Sequence, residues 1–319
     1  ITRLQRELEL TPDAEALRLA RGSAPGLTAV AGERIFAEFS RILAGSSASQ
    51  GIRDLDESGA LDSVLPELQR LKGVEQSDFH HLDCWEHTLL VLDEVEALAT
   101  DQTPLGPAGA EALVILNGSL ADGENRWLGL RLAALLHDIA KPDTRVEFEN
   151  GRIGFPGHDD AGALVADEVL LERFKTSARL AAFVRAEIVD HLTAGFMTHD
   201  EPVGLRQIHQ YLQKTGQAAV DTTVISVADR LATKGRNSEA AITRHLALTE
   251  RLLTAAVERE RDGVPAPLVR GDVLASALGI TQGPQLGSVL AELAEAQYAR
   301  EVTTEAEAIE HARSFVSAE

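Results

Sequence analysis

Leu128-Gly129-Leu130-Arg131-Leu132-Ala133-Ala134-Leu135-Leu136-His137-Asp138-Ile139-Ala140-Lys141-Pro142 is the stretch on which the reading of this chain turns. Leu128, Leu132, Leu135 and Leu136 recur at spacings of three and four, the period of an α-helix with one buried face. Gly129 lowers the helix propensity slightly and leaves the stripe unbroken. His137 and Asp138 sit at the C-terminal end of that apolar run, and Ala140-Lys141-Pro142 closes it. A polar pair placed there needs a reason to be buried, because a desolvated ionised carboxylate is costly unless paired or metal-bound.

The same period extends outward in both directions. Thr11-Pro12-Asp13 reads as a helix start, with Thr11 as N-cap and Pro12 at the first helical position. Ile35, Phe36, Phe39, Ile42 and Leu43 stripe the next helix, and Leu89, Leu90, Leu92, Val95 and Leu98 stripe a long one near 84–99. Further helices are expected near 160–173, 177–190, 203–213, 217–233 and 238–260. Val146-Glu147-Phe148, Asn150-Gly151 and Ile153-Gly154-Phe155 spell one small hairpin. Asp262-Gly263-Val264-Pro265-Ala266-Pro267 reads as a linker. Past it, Gly283-Pro284 opens one helix, and Thr304 with Glu307 forms a capping box for the last. The roughly 50 residues beyond the linker are few for an independent core, so a docked helical tail is expected.

Composition bounds the function classes. The chain has 319 residues, 44% of them hydrophobic and 4% aromatic, so its core must be largely aliphatic. Fifty acidic against 30 basic residues give a net charge of −20, which disfavours general nucleic-acid affinity and leaves room for a local basic patch. One cysteine, Cys84, cannot form an internal disulfide. No apolar run approaches the ~18 residues of a membrane span, and no signal peptide opens the chain. A cytoplasmic location and no membrane partner are expected. Ile1 in place of Met reads as a processed chain or a fragment.

The residues that carry chemistry are histidines and aspartates. His87, His137-Asp138, His158, His191 and Asp229 fall in or beside successive predicted helices. Imidazoles and carboxylates converging from separate elements are what a metal site requires. His87, His137, Asp138 and Asp229 are expected to hold one divalent ion. His158 and His191 are read either as second-metal or substrate-phosphate ligands or as structural hydrogen-bonding residues. Lys141, one helical turn after Asp138, and Arg145 could meet a substrate phosphate, as could Arg230, Lys234 and Arg236; each could equally be a solvated surface charge. Lys141 is expected to face the cleft mouth and to matter to substrate and not to fold. His80 and His81 are read as orienting or packing residues, Trp85 as a helix anchor, and Cys84 as inert. His199, His209, His245 and His311 are read as surface residues.

This pattern resembles the HD superfamily of metal-dependent phosphohydrolases. More narrowly, it resembles the region that follows the catalytic head of bacterial tRNA nucleotidyltransferases (CCA-adding enzymes) and poly(A) polymerases. Glu33-Arg34-Ile35 through Leu43 is similar to the helical neck. Leu65-Pro66-Glu67-Leu68, Gly73-Val74 and Phe79-His80-His81-Leu82-Asp83-Cys84-Trp85-Glu86-His87 lead into the HD region. Leu135 to Pro142 and Phe155-Pro156-Gly157-His158-Asp159 continue it, and Gly283 through Ala308 is similar to the tail. Ala140 stands where the family usually has Gly, a harmless change in a helix. Gly45-Ser46 and Asp54-Leu55-Asp56 mimic the head's carboxylate motif but lack its strands, and read as a loop and a helix N-terminus.

The resemblance implies an all-α fold: a helical neck over 1–72, an HD domain over 73–261 and a helical tail over 262–319. It implies metal-assisted hydrolysis of a phosphate ester, with Asp138, Lys141 and His158 in catalytic roles and Lys141, Arg145 and Arg230 on the phosphate. Mixed imidazole and carboxylate ligands suit Mn²⁺, Fe²⁺, Co²⁺, Ni²⁺ or Zn²⁺ better than Mg²⁺ alone, with Mg²⁺ kept as a further candidate. The implied substrate is a nucleotide, a cyclic phosphodiester or an RNA terminus. The alternative is the RNA-binding body and tail of a nucleotidyltransferase, with tRNA as partner.

Overall fold

The computed structural model describes residues 1–77, 80–121, 123–200, 202–235 and 238–318. Helices hold 72% of the chain, and the fold is the all-α bundle that the periodicity predicts. Five helices wall the site: Cys84–Leu98, Arg126–Leu136, His158–Asp167, Ala178–Asp190 and Ala219–Ala232. Cys84–Leu98 packs on both Arg126–Leu136 and Ala219–Ala232. Ala178–Asp190 bridges Arg126–Leu136 to His158–Asp167, and the long helix Ser238–Asp262 covers Ala219–Ala232 from outside.

Local chemistry sets where these helices begin. Asp83 caps Cys84–Leu98: its carboxylate accepts from the Glu86 amide at 2.8 Å and from the Gly73 amide at 2.7 Å. That fixes the first turn, and with it the direction of His87. Asn125 caps Arg126–Leu136 by accepting from the Leu128 amide at 3.0 Å. Gly157, at φ +73°, turns the chain so that His158 opens its helix; a side chain at that angle would be strained. Gly129 has a packing reason as well as a propensity cost. A Cβ there would meet the Phe183 ring at 2.6 Å and Leu120 at 2.9 Å.

One apolar core runs from Phe39 to Val257 and includes Leu89, Leu92, Leu132, Leu135, Ile188 and Val224, all buried. Each such side chain contributes about 1.5–3 kcal/mol of transfer free energy. The N-terminal helices share it: Gly32–Ala44 packs on Arg126–Leu136, and Ala48–Glu57 on Cys84–Leu98. A second, smaller core spans Val269 to Ala312. The segment around it docks through Pro284–Tyr298 onto Leu205–Thr215. Arg206 reaches Glu292 at 2.9 Å, Glu295 at 3.3 Å and Glu301 at 2.6 Å, and the His209 ring lies 5.2 Å from that of Tyr298.

Several local expectations change. Asp13, not Thr11, caps the second helix, accepting from the Ala16 amide at 2.8 Å, because the helix begins at Ala14. The run from Leu128 ends at Leu136, and Lys141-Pro142 opens a separate turn, Lys141–Thr144, with proline near its start. The expected hairpin forms, pairing Val146 with Gly154 and Glu147 with Ile153. A second one, Ser119–Ala121 with Glu124–Asn125, was not expected. Asp54 and Asp56 lie in the last turns of Ala48–Glu57, not at a helix N-terminus. Arg6 at 3.1 Å and Lys72 at 2.7 Å neutralise them, in place of a helix dipole.

Candidate metal centre

His137 and His191 each directly follow a helix end, and His158 opens one. All three orient their rings in the same way. Nδ1 donates to the carbonyl three residues back: Ala134 for His137 at 2.9 Å, Phe155 for His158 at 2.7 Å, and Ile188 for His191 at 2.6 Å. A carbonyl only accepts, so Nδ1 carries the hydrogen and, in the neutral ring, Nε2 keeps its lone pair for the cavity.

Those lone pairs converge on Asp138. His137 Nε2 lies 3.1 Å from Asp138 Oδ2, and His87 Nε2 lies 3.6 Å from the same oxygen. His158 Nε2 lies 3.3 Å from Asp138 Oδ1. His87 Nε2 is also 3.0 Å from Asp229 Oδ1. Two ligand sets follow, each with its ligand atoms within 4.8 Å of one another: His87, His137 and Asp138, then Asp138, His158 and His191. Asp138 is common to both. All five members are buried, with Asp229 partly exposed beside the first set.

The fit to a metal rests on unsatisfied atoms. Nε2 of His87, His137 and His158 and Asp138 Oδ1 are buried without a hydrogen-bond partner, and Asp138 Oδ2 meets only the Lys141 ammonium and imidazole nitrogens. Buried polar atoms are rarely left so, and such a set converging on one point has the donor chemistry of a divalent-ion site. The charge states of both carboxylates and of His87 and His191 agree. Burial alone would raise the Asp138 pKa, but His137 and Lys141 beside it hold the carboxyl well below its ordinary range. Asp229 is lowered too, its burial outweighed by His87 and His137 beside it. Burial lowers His87, and burial with His137 and His158 nearby takes His191 to about 4. At neutral pH these two rings are therefore uncharged and able to ligate. His137 is raised, its burial outweighed by Asp138.

The cationic candidates separate. Lys141 is buried, not at the cleft mouth. Its Nζ pairs with Asp138 Oδ2 at 2.7 Å, donates to Gln76 Oε1 at 2.6 Å and sits 5.2 Å from the Phe155 ring centroid. It takes this place because it opens the turn after Ala140, which points its stem back toward Asp138. Arg145 is exposed, does not line the cleft and lies 3.9 Å from Glu147, because its backbone has already left the turn in extended conformation. Arg230 does line it; Nη2 donates to the Thr233 carbonyl at 2.6 Å while Nε has no partner. Lys234 is exposed, and Arg236 lies outside the described residues, as does Phe79.

His80 stacks edge-on against His87 at 5.1 Å, and burial with nearby Lys141 lowers it to about 3, which suits the orienting role; His81 is exposed. Burial pushes the Cys84 thiol up to about 12, away from its reactive thiolate form. Trp85 is buried with Lys72 Nζ 4.8 Å above its ring. His245 corrects its surface reading: it is buried, and its Nε2 is 3.1 Å from Ser226 Oγ inside the cleft. His199 also lines the cleft. Arg152 and Arg244 line the cleft and Gln76 accepts from Lys141, but none of the three carries a motif. Only the nearness of Arg152 to Phe155-Pro156-Gly157-His158 hinted at a role.

Comparison with known proteins agrees with this geometry. Residues 85–234 match the HD domain family, and residues 9–72 match a family described as the probable RNA and SrmB-binding site of polymerase A. The chain is 34% identical over 289 residues to the A-adding tRNA nucleotidyltransferase of Deinococcus radiodurans, covering 89% of this chain and 57% of that protein. It is 33% identical to the CC-adding tRNA nucleotidyltransferase of Thermus thermophilus, covering 89% and 56%. A multifunctional CCA protein of Methylococcus capsulatus is 33% identical over 145 residues. The chain thus spans little more than half the length of the first two relatives. Among the described residues, no helix is long and apolar enough to cross a membrane.

Proposed function

We propose, on the premise that this chain carries an HD domain and is homologous over its neck and HD region to bacterial tRNA nucleotidyltransferases, that it is an RNA-holding body of that kind. The match of residues 9–72 to an RNA-binding family carries this reading, with the two relatives named for tRNA nucleotidyl transfer in support. A net charge of −20 confines the RNA to local contacts. Asp54 and Asp56 are held by Arg6 and Lys72 on a helix, so nucleotide addition is not assigned to them. Filter binding of tRNA to the purified chain tests the reading, and the same mixture with ATP, CTP and Mg²⁺ should leave the RNA unextended. Absence of saturable tRNA binding at low salt would refute it.

A second activity, hydrolysis of a phosphate ester, is favoured by the unpartnered imidazole nitrogens that converge on Asp138. His87, His137, Asp138 and Asp229 would hold one divalent ion; Asp138, His158 and His191 would hold another. Bound there, such an ion supplies Lewis acidity toward a phosphoryl oxygen and an acidified water. Mn²⁺, Fe²⁺, Co²⁺, Ni²⁺ or Zn²⁺ suit these donors. The protein's own part is positional. The backbone carbonyls fix the rings, Lys141 holds Asp138 ionised, and Arg230 faces the substrate phosphate from the cleft wall. The substrate is a nucleotide, a cyclic phosphodiester or an RNA terminus. Metal analysis of the parent and of Asp138→Ala, paired with a phosphomonoester and phosphodiester panel, tests this. Equal metal content in the two would sink it.

A further inference from the structure

We propose that the rim of this cleft is a subsite for the end of a nucleic-acid strand: Phe196 stacks a nucleobase, and Arg152 and Arg244 hold the phosphate of the neighbouring nucleotide. The inference rests on the phosphoester reading of the floor and deepens it.

The cleft is larger than its floor requires. Its volume is about 750 Å³, in the upper part of the range typical of ligand sites and well beyond one phosphate. Phe196 is 63% exposed, and a single exposed aromatic means little by itself. Its position is the informative part. Among the described residues it is the one large, well-exposed apolar side chain that lines this cavity. A flat π-face beside a phosphate site is what an unpaired base stacks on.

The arginines come from separate walls. Arg152 sits in the hairpin before His158, and Arg244 on the helix Ser238–Asp262. Neither guanidinium has an ion pair or hydrogen bond among the described residues. In a chain with 20 more acids than bases, most arginines find carboxylates, as Arg126, Arg173 and Arg206 do. Two left free and exposed at the mouth of one cleft are placed for an anion that is not part of the protein. On the phosphoester reading the floor takes one phosphate near Asp138, and the rim takes the next along the strand.

Isothermal titration calorimetry with three probes separates the parts: ribose 5-phosphate, AMP, and the 5′-phosphorylated dinucleotide pApA. It is run in EDTA, where hydrolysis is suppressed and the rim is read directly, and then repeated with Mn²⁺. AMP should bind about five- to hundredfold more tightly than ribose 5-phosphate, the range typical of one base stack. Phe196→Ala should abolish that ratio and Phe196→Tyr should keep it. The dinucleotide should bind about tenfold more tightly than AMP, and Arg152→Ala with Arg244→Ala should remove this second step alone. All three side chains altered are exposed, and thermal midpoints should match the parent. Equal binding of ribose 5-phosphate and AMP, or of AMP and pApA, overturns the subsite and leaves the phosphoester reading standing. Failure of all three probes to bind, with and without Mn²⁺, overturns both.

Discussion

Lys141→Met separates a buried structural cation from an exposed substrate contact. Lys141 Nζ is 2.7 Å from Asp138 Oδ2 and 2.6 Å from Gln76 Oε1, and both charged residues are almost wholly buried. Removing one partner of a buried pair costs about 3–5 kcal/mol, because the other charge stays behind. His137, at 3.1 Å from the same oxygen, still shares the Asp138 charge, which places the expected loss near the low end, about 3 kcal/mol. At about 2–4 °C per kcal/mol for a chain of this size, the midpoint should fall by about 6–12 °C. The sign with pH follows from the lowered Asp138 value: its contribution is fully present above its unfolded pKa, near ~3.9, and is lost as pH falls through the folded one. The comparison therefore belongs at pH 7.5. Thermal denaturation followed by circular dichroism, in EDTA and again with Mn²⁺, is the assay. Methionine keeps the apolar stem, so lost packing is minimised. In Mn²⁺ the gap should shrink, since bound cation then neutralises Asp138 in place of the ammonium. A midpoint in EDTA within about 1 °C of the parent would refute the buried-pair argument and return Lys141 to the cleft mouth.

His191→Ala should lower metal content by one ion per chain and leave the His87, His137 and Asp138 set occupied; mass spectrometry of the metal-loaded protein reads this, and an unchanged count would show that the second set binds nothing. Glu187 is fully buried with one oxygen unpartnered, and burial, then Asp221, raise its pKa well above the usual carboxylate range. Its stabilising share is therefore present below the unfolded value and lost as pH rises, so Glu187→Gln should gain more midpoint over the parent at pH 8 than at pH 5. The opposite trend would mean that the carboxylate is paired. Arg206→Ala removes three ion pairs that hold Pro284–Tyr298 to Leu205–Thr215. These are partly exposed, so the cost is only about 1 kcal/mol, but proteolysis within 263–267 should quicken, and an unchanged rate would mean that the second core docks by apolar contact alone.

The helical class was legible because helix periodicity is a local property: every apolar stripe from Ile35 to Val95 lies within a few turns of its own chain. The histidines and aspartates were legible because polar residues at the ends of buried runs stand out against them. His87, His137, Asp138, His158, His191 and Asp229 do meet in one cluster. The hairpin at 146–154 was announced by Asn150-Gly151; the one at 119–125 carries an equally good turn signal, Asp122-Gly123, but its strands, three and two residues long, show no alternation.

What the chain could not show locally is where long side chains point and how the ligands divide. Lys141 and Arg145 are four residues apart and read alike in sequence, yet one turns inward to Asp138 and the other leaves with the extended backbone. His245 looked like a surface histidine until Ala219–Ala232 packed beneath it and brought Ser226 within 3.1 Å. The sharing of Asp138 between two imidazole pairs needs four helix ends to converge at ångström precision. By itself, the sequence determined the helices and the chemical types they carry, because both are written in neighbouring residues. Only the tertiary structure decided which atoms lie within ligating distance, because the crossing of packed helices joins residues that are more than a hundred positions apart.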